Sequence, residues 1–569
     1  MSSGVLHRHT RGGRAGHLGL SPAQRRFMDT GTWLFAAQLA VLVWLSVVRY
    51  QHFDLAEDYG IYVQAMHQIA HGHLDPWSTI YGYPFWQNNF EWFIWPLGLL
   101  SRIVPAAALL LGLQDVALAA TGWLAWRWWR RAPEAHAEQS EGGPIAMVGG
   151  LGVMIVALAS PLLYATAGFD FHSEAIAAPL LLAITYDLFG DRRTRSWLWV
   201  PLLLATTAVG STYLVGVALA GLVPRRCRRT ALALLVVGVG WLALASIVGG
   251  VRPGVVGGYA YLAGNGHPNL ASIVGGIVTH PSVALRTISG RWRQLARIAA
   301  ASGGVGILWP PALLVDLVVI APPSLNSSAV FVSPGVAFQV VPILGPMATG
   351  AGLVTLAAAA HLRRVPAAIA VVCITASAVA CVAAAAVTDT AAWTQWSAVP
   401  GPAARTLARV AADLPTTAEV VAASGVSGRF SSRPFTFVLS EASVTFPVCA
   451  PDVVLVLTDA GLEGGFTPPT MIAAARHIAT TQFHAVVLAA AHGVWAYRLR
   501  LPPHPTPHSS PSTPPSPPLS SPAVHPRCAD PRVPGPREAE VDSGARAKPR
   551  GALVLAESQR GAGAPEMMR

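Results

Sequence analysis

Apolar stretches recur along the chain at lengths that cross a bilayer. Trp33 to Val48, Pro105 to Trp126, Pro144 to Ala165, Ala231 to Val248, Ala337 to Ala360 and Pro366 to Thr388 are almost free of charged residues. A helix rises about 1.5 Å per residue, so about 20 such residues span the hydrocarbon. Between the runs, arginines gather in short clusters: Arg25 and Arg26, Arg127, Arg130 and Arg131, Arg192, Arg193 and Arg195, Arg225 to Arg229, and Arg363 and Arg364. Such clusters mark cytoplasmic loops. Segment 1–30, basic and not followed by a cleavage site, reads as a cytoplasmic end leading into an uncleaved signal anchor.

With that orientation, residues 50–90 form an outer loop that is acidic and rich in aromatics. Asn89 to Val104 reads as a helix lying on the membrane surface. Pro144 to Ala165 and Ala175 to Gly190 form an outward and inward pair around the outer loop Gly168 to Glu174. The run Trp197 to Val223 has basic clusters at both ends, so it is expected to be a helical hairpin broken at Gly210-Ser211-Thr212. A second break is expected at Trp309-Pro310-Pro311. The loop Gly249 to Arg297 carries five arginines and no acid, which suits either bound phosphate or nonspecific lipid headgroups.

From about Arg405 the pattern changes. Short apolar runs at Glu419 to Ala422, Phe435 to Leu439, Val453 to Leu457 and Ala485 to Leu488 predict strands, and Met471 to Thr480 predicts a helix. His492-Gly493 predicts a hairpin turn before Val494 to Leu499. The fold class that results is an all-α polytopic membrane protein of about nine to eleven hydrophobic helices, some broken, with a small C-terminal α/β soluble domain and a disordered tail. Its divisions are a transmembrane domain at 31–390, an extracytoplasmic α/β domain at 400–500, and a Pro/Ser-rich tail at 501–569 expected to be disordered.

Composition agrees. Among 569 residues 53% are hydrophobic and 12% charged, with a mean hydropathy of +0.46, far from the quarter charged of soluble domains. The net charge of +11 belongs to the topology clusters, so membrane lipids and not nucleic acid are the expected partners. The five cysteines show no zinc spacing and no disulfide framework. No metal site and no particular cofactor is indicated. Asp115 and Asp187 fall near expected cytoplasmic helix ends; Asp316 lies deeper in an apolar run.

Two stretches carry a resemblance. Asp58-Tyr59-Gly60-Ile61-Tyr62-Val63-Gln64-Ala65, with His71-Gly72 and Ser78-Thr79 behind it, and Phe169-Asp170-Phe171-His172-Ser173-Glu174-Ala175, with Pro179 behind it, resemble the signatures of the family of membrane proteins called domain of unknown function two thousand and seventy-nine. The likeness runs from about Gly31 to Thr388. That family in turn looks like the C-type glycosyltransferase architecture, in which a first outer loop carries a carboxylate that meets a polyprenyl-phosphate sugar. The chain departs from the family at Val63, Asn89, Gly210-Ser211 and Ala337-Phe338, where Asp, His, Lys-Glu and His-Tyr are common.

The resemblance implies a sugar transfer from a polyprenyl-phosphate donor to a cell-envelope acceptor, with Asp58 as the base and Asp54 as the alternate. Such a transfer needs a proton acceptor and cations for the departing phosphate. Glu57, Gln64, Glu91, Asp170, His172 and Glu174 are candidates to bind or orient substrate. Arg291, Arg293 and Arg297 are candidates to clamp the phosphate. The bland readings are a solvated acidic face for the first loop and helix capping ahead of Ala175 for Asp170, His172 and Glu174. A noncatalytic transporter or envelope scaffold is the alternative function, although a transporter of this size is expected to show two related halves.

Overall fold

A computed structural model describes residues 22–134, 144–190, 192–207, 209–248, 258–263, 269–301, 310–327, 374–386, 399–439, 445–447, 449–462, 467–500 and 552–554, with a few single positions between them. The expected span Ala337 to Ala360, the Trp309 side of the second break, nearly all of the N-terminal segment and most of the tail lie outside the described residues. Of the tail, Ala552–Val554 is described as a strand (β9) antiparallel to β5, Thr445–Pro447.

Four helices among the described residues are long and apolar enough to cross a membrane: Thr30–Gln51, Ala106–Trp129, Gly150–Ala167 and Arg225–Val248. They belong to α1 (Pro22–Gln51), α5 (Ala106–Glu134), the pair α6 (Pro144–Ala159) and α7 (Pro161–Ala167), and α11 (Arg228–Val248). Ser160, in extended geometry ahead of Pro161, separates α6 from α7, because a proline cannot continue the hydrogen-bond ladder. Shorter apolar helices include Gly210–Leu222, Leu313–Leu325 and Ile374–Ala386.

The hairpin expected in the run from Trp197 is present, with its break displaced. Helix α8 (Glu174–Phe189) leads to α9 (Ser196–Thr206), and α10 (Gly210–Leu222) returns against both. The break falls at residues 207–209, not at Gly210 to Thr212, and Thr207 is extended. Gly210 is needed for a different reason than breaking the helix. A Cβ there would lie 2.5 Å from the carbonyl oxygen of Leu203, so only glycine lets α10 start against the backbone of α9.

The bundle has two distinct ends. At one, Arg193 Nη1 donates to the Arg226 carbonyl at 2.6 Å and Arg226 Nη2 donates to the Phe189 carbonyl at 2.7 Å, so the basic clusters before α9 and after α10 sit together. At the other end the amide of Phe93 donates to the Ala205 carbonyl at 3.0 Å, joining the first loop to the tip of the hairpin. That first loop contains α2 (Glu57–Ala70), the two-residue ribbon β1 (Trp77–Ser78) and β2 (Tyr83–Pro84), α3 (Phe85–Asn89) and α4 (Ile94–Leu100). Around α4, Trp92, Leu99, Leu100 and Ile103 remain exposed, Ile103 at 79%. This apolar ridge suits the surface-lying helix expected there. Asp115 departs from expectation: α5 begins at the loop end, so this carboxylate falls in the loop half of the bundle, buried and accepting from Ser46 Oγ at 3.0 Å. Asp187 lies at the arginine end, as expected.

The C-terminal domain is a five-stranded sheet in the order β4-β3-β6-β8-β7, formed by β3 (Glu419–Ala423), β4 (Thr436–Leu439), β6 (Val453–Thr458), β7 (Val486–Ala491) and β8 (Val494–Arg498). β3 runs parallel to β4 and β6, and the β7–β8 hairpin adds antiparallel. His492 and Gly493 form its turn with positive φ at both, the geometry that matches strand twist. Both faces of the sheet are covered over β3, β4 and β6, while Val486, Val487 and Leu488 of the edge strand β7 are exposed. Val420, Ala422 and Val454 pack with Leu407 and Phe430 on one face, while Val421, Phe437 and Leu455 pack with Ile472 and Ala475 on the other. Cys449 is disulfide-bonded, a bond that the scattered cysteine spacing gave no sign of; Cys227 and Cys381 are buried free thiols.

This domain is locked onto the first loop. Phe53, fully buried, inserts into the core of the domain with its ring 5.8 Å from that of Phe430, and the Arg429 guanidinium lies 4.1 Å over the rings of both Tyr50 and Phe53. The Gly428 amide donates to the Leu55 carbonyl at 2.9 Å. A Phe53→Ala variant should lose about 3–5 kcal/mol at this seam, read as faster proteolytic release of the C-terminal domain and lower hydrogen-exchange protection of α2.

Candidate functional site

The site begins with a cation at the end of a span. Arg49, in the last turn of α1, is only 3% exposed, so its charge must be met from within. Its Nε lies 3.3 Å from Asp54 Oδ2, Nη2 donates to the Asp54 carbonyl at 2.8 Å, and Nη1 donates to the carbonyls of Ala167, at 3.0 Å, and Phe169. Asp170 Oδ1 is 4.0 Å from Nη2. One side chain therefore ties α1 to the first loop and to the loop that follows α7.

Asp170 uses its remaining lone pairs on α2. Ala56, the N-cap residue, has no side-chain cap of its own, and helix starts leave backbone donors without partners. Asp170 supplies them from another segment: Oδ1 accepts from the Ala56 amide at 2.7 Å and Oδ2 from the Tyr59 amide at 3.3 Å. Capping was the bland reading for Asp170, and it does cap a helix, but α2 and not the one it precedes. Burial, with the charge of Asp58, raises its pKa from 3.8 to about 6 against the opposing pull of Arg49 and the two amides.

With α2 so placed, Asp58 faces His172. Asp58 Oδ2 lies 3.6 Å from His172 Nε2, and Glu174 Oε2 lies 3.7 Å from His172 Nδ1. The imidazole thus stands between two carboxylates. Burial alone would lower the pKa of His172, but the hydrogen bond to Glu174 and the charges of Asp58, Glu174 and Asp170 outweigh it and hold it above 6.5. Exposure is greatest at the Asp58 end of the line. The Asp58 side chain is 33% exposed, Glu174 14% and His172 11%, so Asp58 is the end that meets an incoming molecule.

The surrounding groups hold this line. Gln114 Oε1 accepts from the His172 amide at 2.8 Å, Thr207 Oγ1 donates to Glu174 Oε1 at 3.2 Å, and the Tyr81 hydroxyl donates to Asp58 Oδ1 at 3.4 Å. Glu91 joins through Ser173, whose hydroxyl donates to its Oε1 at 2.8 Å. The break in the α9–α10 hairpin therefore contributes directly to the site through Thr207.

The other candidates are placed differently. Asp54 is committed to Arg49, and burial raises its pKa despite that partner. Gln64 is fully buried and spends its amide on Thr79 and on the carbonyls of Arg433 and Pro434, tying α2 to the C-terminal domain. Glu57 Oε2 accepts from Ser424 Oγ at 3.5 Å across the same seam. Arg291 Nη1 donates to the carbonyls of Pro323 and Ser324 at 3.3 and 2.8 Å, and the Arg293 guanidinium lies 5.6 Å from the Trp292 ring. The Arg297 side chain lies outside the described residues. The helix Trp292–Ala301 that carries Arg293 packs against α7, which leads into the Asp170 loop.

Sequence reasoning missed Arg49, Gln114, Ser173 and Thr207. Arg49 had left a signal: a lone arginine at the outward end of an apolar span, where the topology rule disfavours one, followed at once by acids.

Removing the Asp170 carboxylate leaves a buried guanidinium without part of its counter-charge. Asp170→Ala should therefore cost about 3–5 kcal/mol, measured by thermal unfolding in detergent, and Asp170→Asn less. The pH dependence has a definite sign. Because the folded pKa of Asp170 is raised to about 6, proton binding there favours the fold by a linkage component, separate from the ion pair with Arg49, that is complete below about pH 4 and is lost as pH rises through about 6. The melting temperature of Asp170→Asn should lack that component between pH 4 and 7.

No curated protein and no solved structure matches the chain. A family profile does match, described as Predicted membrane protein (DUF2079), over residues 50–433. That stretch takes in both signature segments, the Arg49-facing loops, the spans between them and the seam as far as Arg433. Since it covers more than half of the chain, the protein belongs to the DUF2079 family of predicted membrane proteins.

Proposed function

We propose that this is a multi-pass protein of the cytoplasmic membrane that transfers a sugar from a polyprenyl-phosphate donor to a cell-envelope acceptor on the outer face. The observation that carries the reading is the line Asp58–His172–Glu174, in which Asp58 is the most exposed member. In the proposed step Asp58 takes the proton of an acceptor hydroxyl. The freed oxygen forms a bond to the anomeric carbon as the bond from that carbon to the phosphate oxygen breaks, and the phosphate leaves with the electron pair. His172, whose pKa its acidic neighbours raise, flanks Asp58 and fixes its orientation. The arginine-rich helices between Leu270 and Ala301 are the proposed source of phosphate contacts.

In this reading the shorter apolar helices complete about nine to eleven hydrophobic helices. The loop end faces outward, because the arginine clusters meet at the opposite end and because the disulfide-bonded Cys449 belongs to a domain docked on that loop, as suits an oxidising compartment. A second reading, a noncatalytic envelope scaffold, is favoured by how firmly the C-terminal domain is locked to α2.

In intact cells a membrane-impermeant thiol reagent should label Gln482→Cys, exposed in the C-terminal domain, and leave Thr194→Cys, exposed at the arginine end, unmodified until the cells are opened. The reverse pattern would overturn the orientation. For the chemistry, Asp58→Asn should lower sugar transfer from a polyprenyl-phosphate donor by about two to four orders of magnitude with membrane insertion and melting temperature unchanged. Full transfer by Asp58→Asn would sink the enzymatic reading. Loss of the cellular phenotype with Phe53→Ala alone would favour the scaffold.

A further inference from the structure

At the C-terminal end of α2 a cavity of about 440 Å³ opens between that helix, the turn after α4, the start of α5 and the C-terminal domain. The polar side chains that line it are His67, His71, Ser101, Arg102 and Ser432, and none of its lining residues is a carboxylate. Each residue of α2 rises about 1.5 Å, so His67 lies about 13 Å along the helix from Asp58. The cavity is therefore separate from the Asp58–His172–Glu174 line.

Arg102 brings the charge. Its Nε donates to the Ala70 carbonyl at 2.7 Å, in the last turn of α2, and among the described residues it enters no ion pair. The acids of the first loop are engaged elsewhere: Asp54 with Arg49, Glu57 with Ser424, Asp58 with His172, Asp75 with Trp86 Nε1 and Glu91 with Ser173. The His67 and His71 rings stand 4.3 Å apart, and His71 is anchored through Nδ1 to the His67 carbonyl at 2.7 Å.

A guanidinium whose terminal amines are open suits two oxygens of one phosphate. The volume falls in the range of ligand pockets. Beside Arg102, Leu99, Leu100 and Ile103 are exposed at 47%, 39% and 79%. They form the apolar ridge that suits the membrane surface, so the cation beside them sits at headgroup depth.

From this arrangement we infer that the cavity holds the phosphate of an anionic membrane lipid, with Arg102 clasping its oxygens and the acyl chains lying against the ridge of α4. His67 and Ser432 supply neutral donors at the same place. A phosphate bound here is too far from Asp58 to be the leaving group of the proposed transfer, so the two assignments stand apart.

The test uses the full chain in nanodiscs of phosphatidylcholine containing increasing phosphatidylglycerol, with bound lipid counted by native mass spectrometry. Arg102→Gln should weaken phosphatidylglycerol retention by about tenfold. Arg405→Gln/Arg409→Gln, which removes two exposed arginines of the helix Gly401–Asp413 outside the cavity, should change it by less than about twofold, the scale of exposed charges. Equal losses in both variants would overturn the site in favour of general surface attraction. Displacement of the lipid by millimolar inorganic phosphate would overturn the lipid as its occupant. Melting in phosphatidylcholine alone checks folding. Should Arg102→Gln not fold, Arg102→Lys, which keeps the charge and drops the fork, carries the same comparison.

Discussion

A guanidinium buried at the end of a membrane span cannot be left without counter-charge, and the first and second loops of this protein are arranged around that requirement. Arg49 collects the carboxylate and carbonyl of Asp54, the carbonyls of Ala167 at the end of α7 and of Phe169, and the nearby charge of Asp170. Breaking such a set by removing one partner is costly because the other charge stays buried. Asp170 passes the constraint onward by capping α2. A helix fixed at its N-terminus by another segment has its first turn fixed as well, and that turn carries Asp58.

The C-terminal domain holds α2 from the opposite side. Gly60 and Gly428 bring the two surfaces close: a Cβ at Gly60 would meet Ser431 Oγ at 2.5 Å, and one at Gly428 would meet the Leu55 carbonyl at 2.7 Å. Gln64, buried in the seam, donates to backbone carbonyls of the domain. The helix with the candidate base is thus set between the membrane bundle and the sheet domain. Preorganisation of this kind is what electrostatic catalysis needs, since groups already in place do not reorganise during reaction.

Five carboxylates lie near Arg49 and His172, and the structure sorts them by burial and partner. Asp54 and Asp170 serve the arginine, Glu91 is held through Ser173, and Glu174 anchors the imidazole. Asp58 retains the most solvent access among the groups flanking His172. At the far end of the bundle Asp187 lies 3.9 Å from Arg195 Nε and accepts from Trp199.

The sequence by itself determined the membrane class, four of the long spans, the hairpin after Arg195 and the strands and helix of the C-terminal domain. These follow from local quantities, namely runs of apolar residues, arginine clusters at helix ends and two-residue periodicity. It also brought Asp58, Asp170, His172 and Glu174 forward as candidates, through motif resemblance. It did not reveal that Asp170 caps α2, that Gln64 is a structural tie, or that Arg49 is the hub, because each depends on a partner distant in the chain. Gly210 shows the limit well: a helix-breaking residue read locally, it proved to be the first residue of α10, required by a close approach to Leu203. Asp115 lies in the loop half of the bundle because α5 starts there, and its partner Ser46, on α1, is one that no local reading supplies. Only tertiary packing decides which buried charges meet, since the cost of leaving one unpaired is set by neighbours that no sequence window contains.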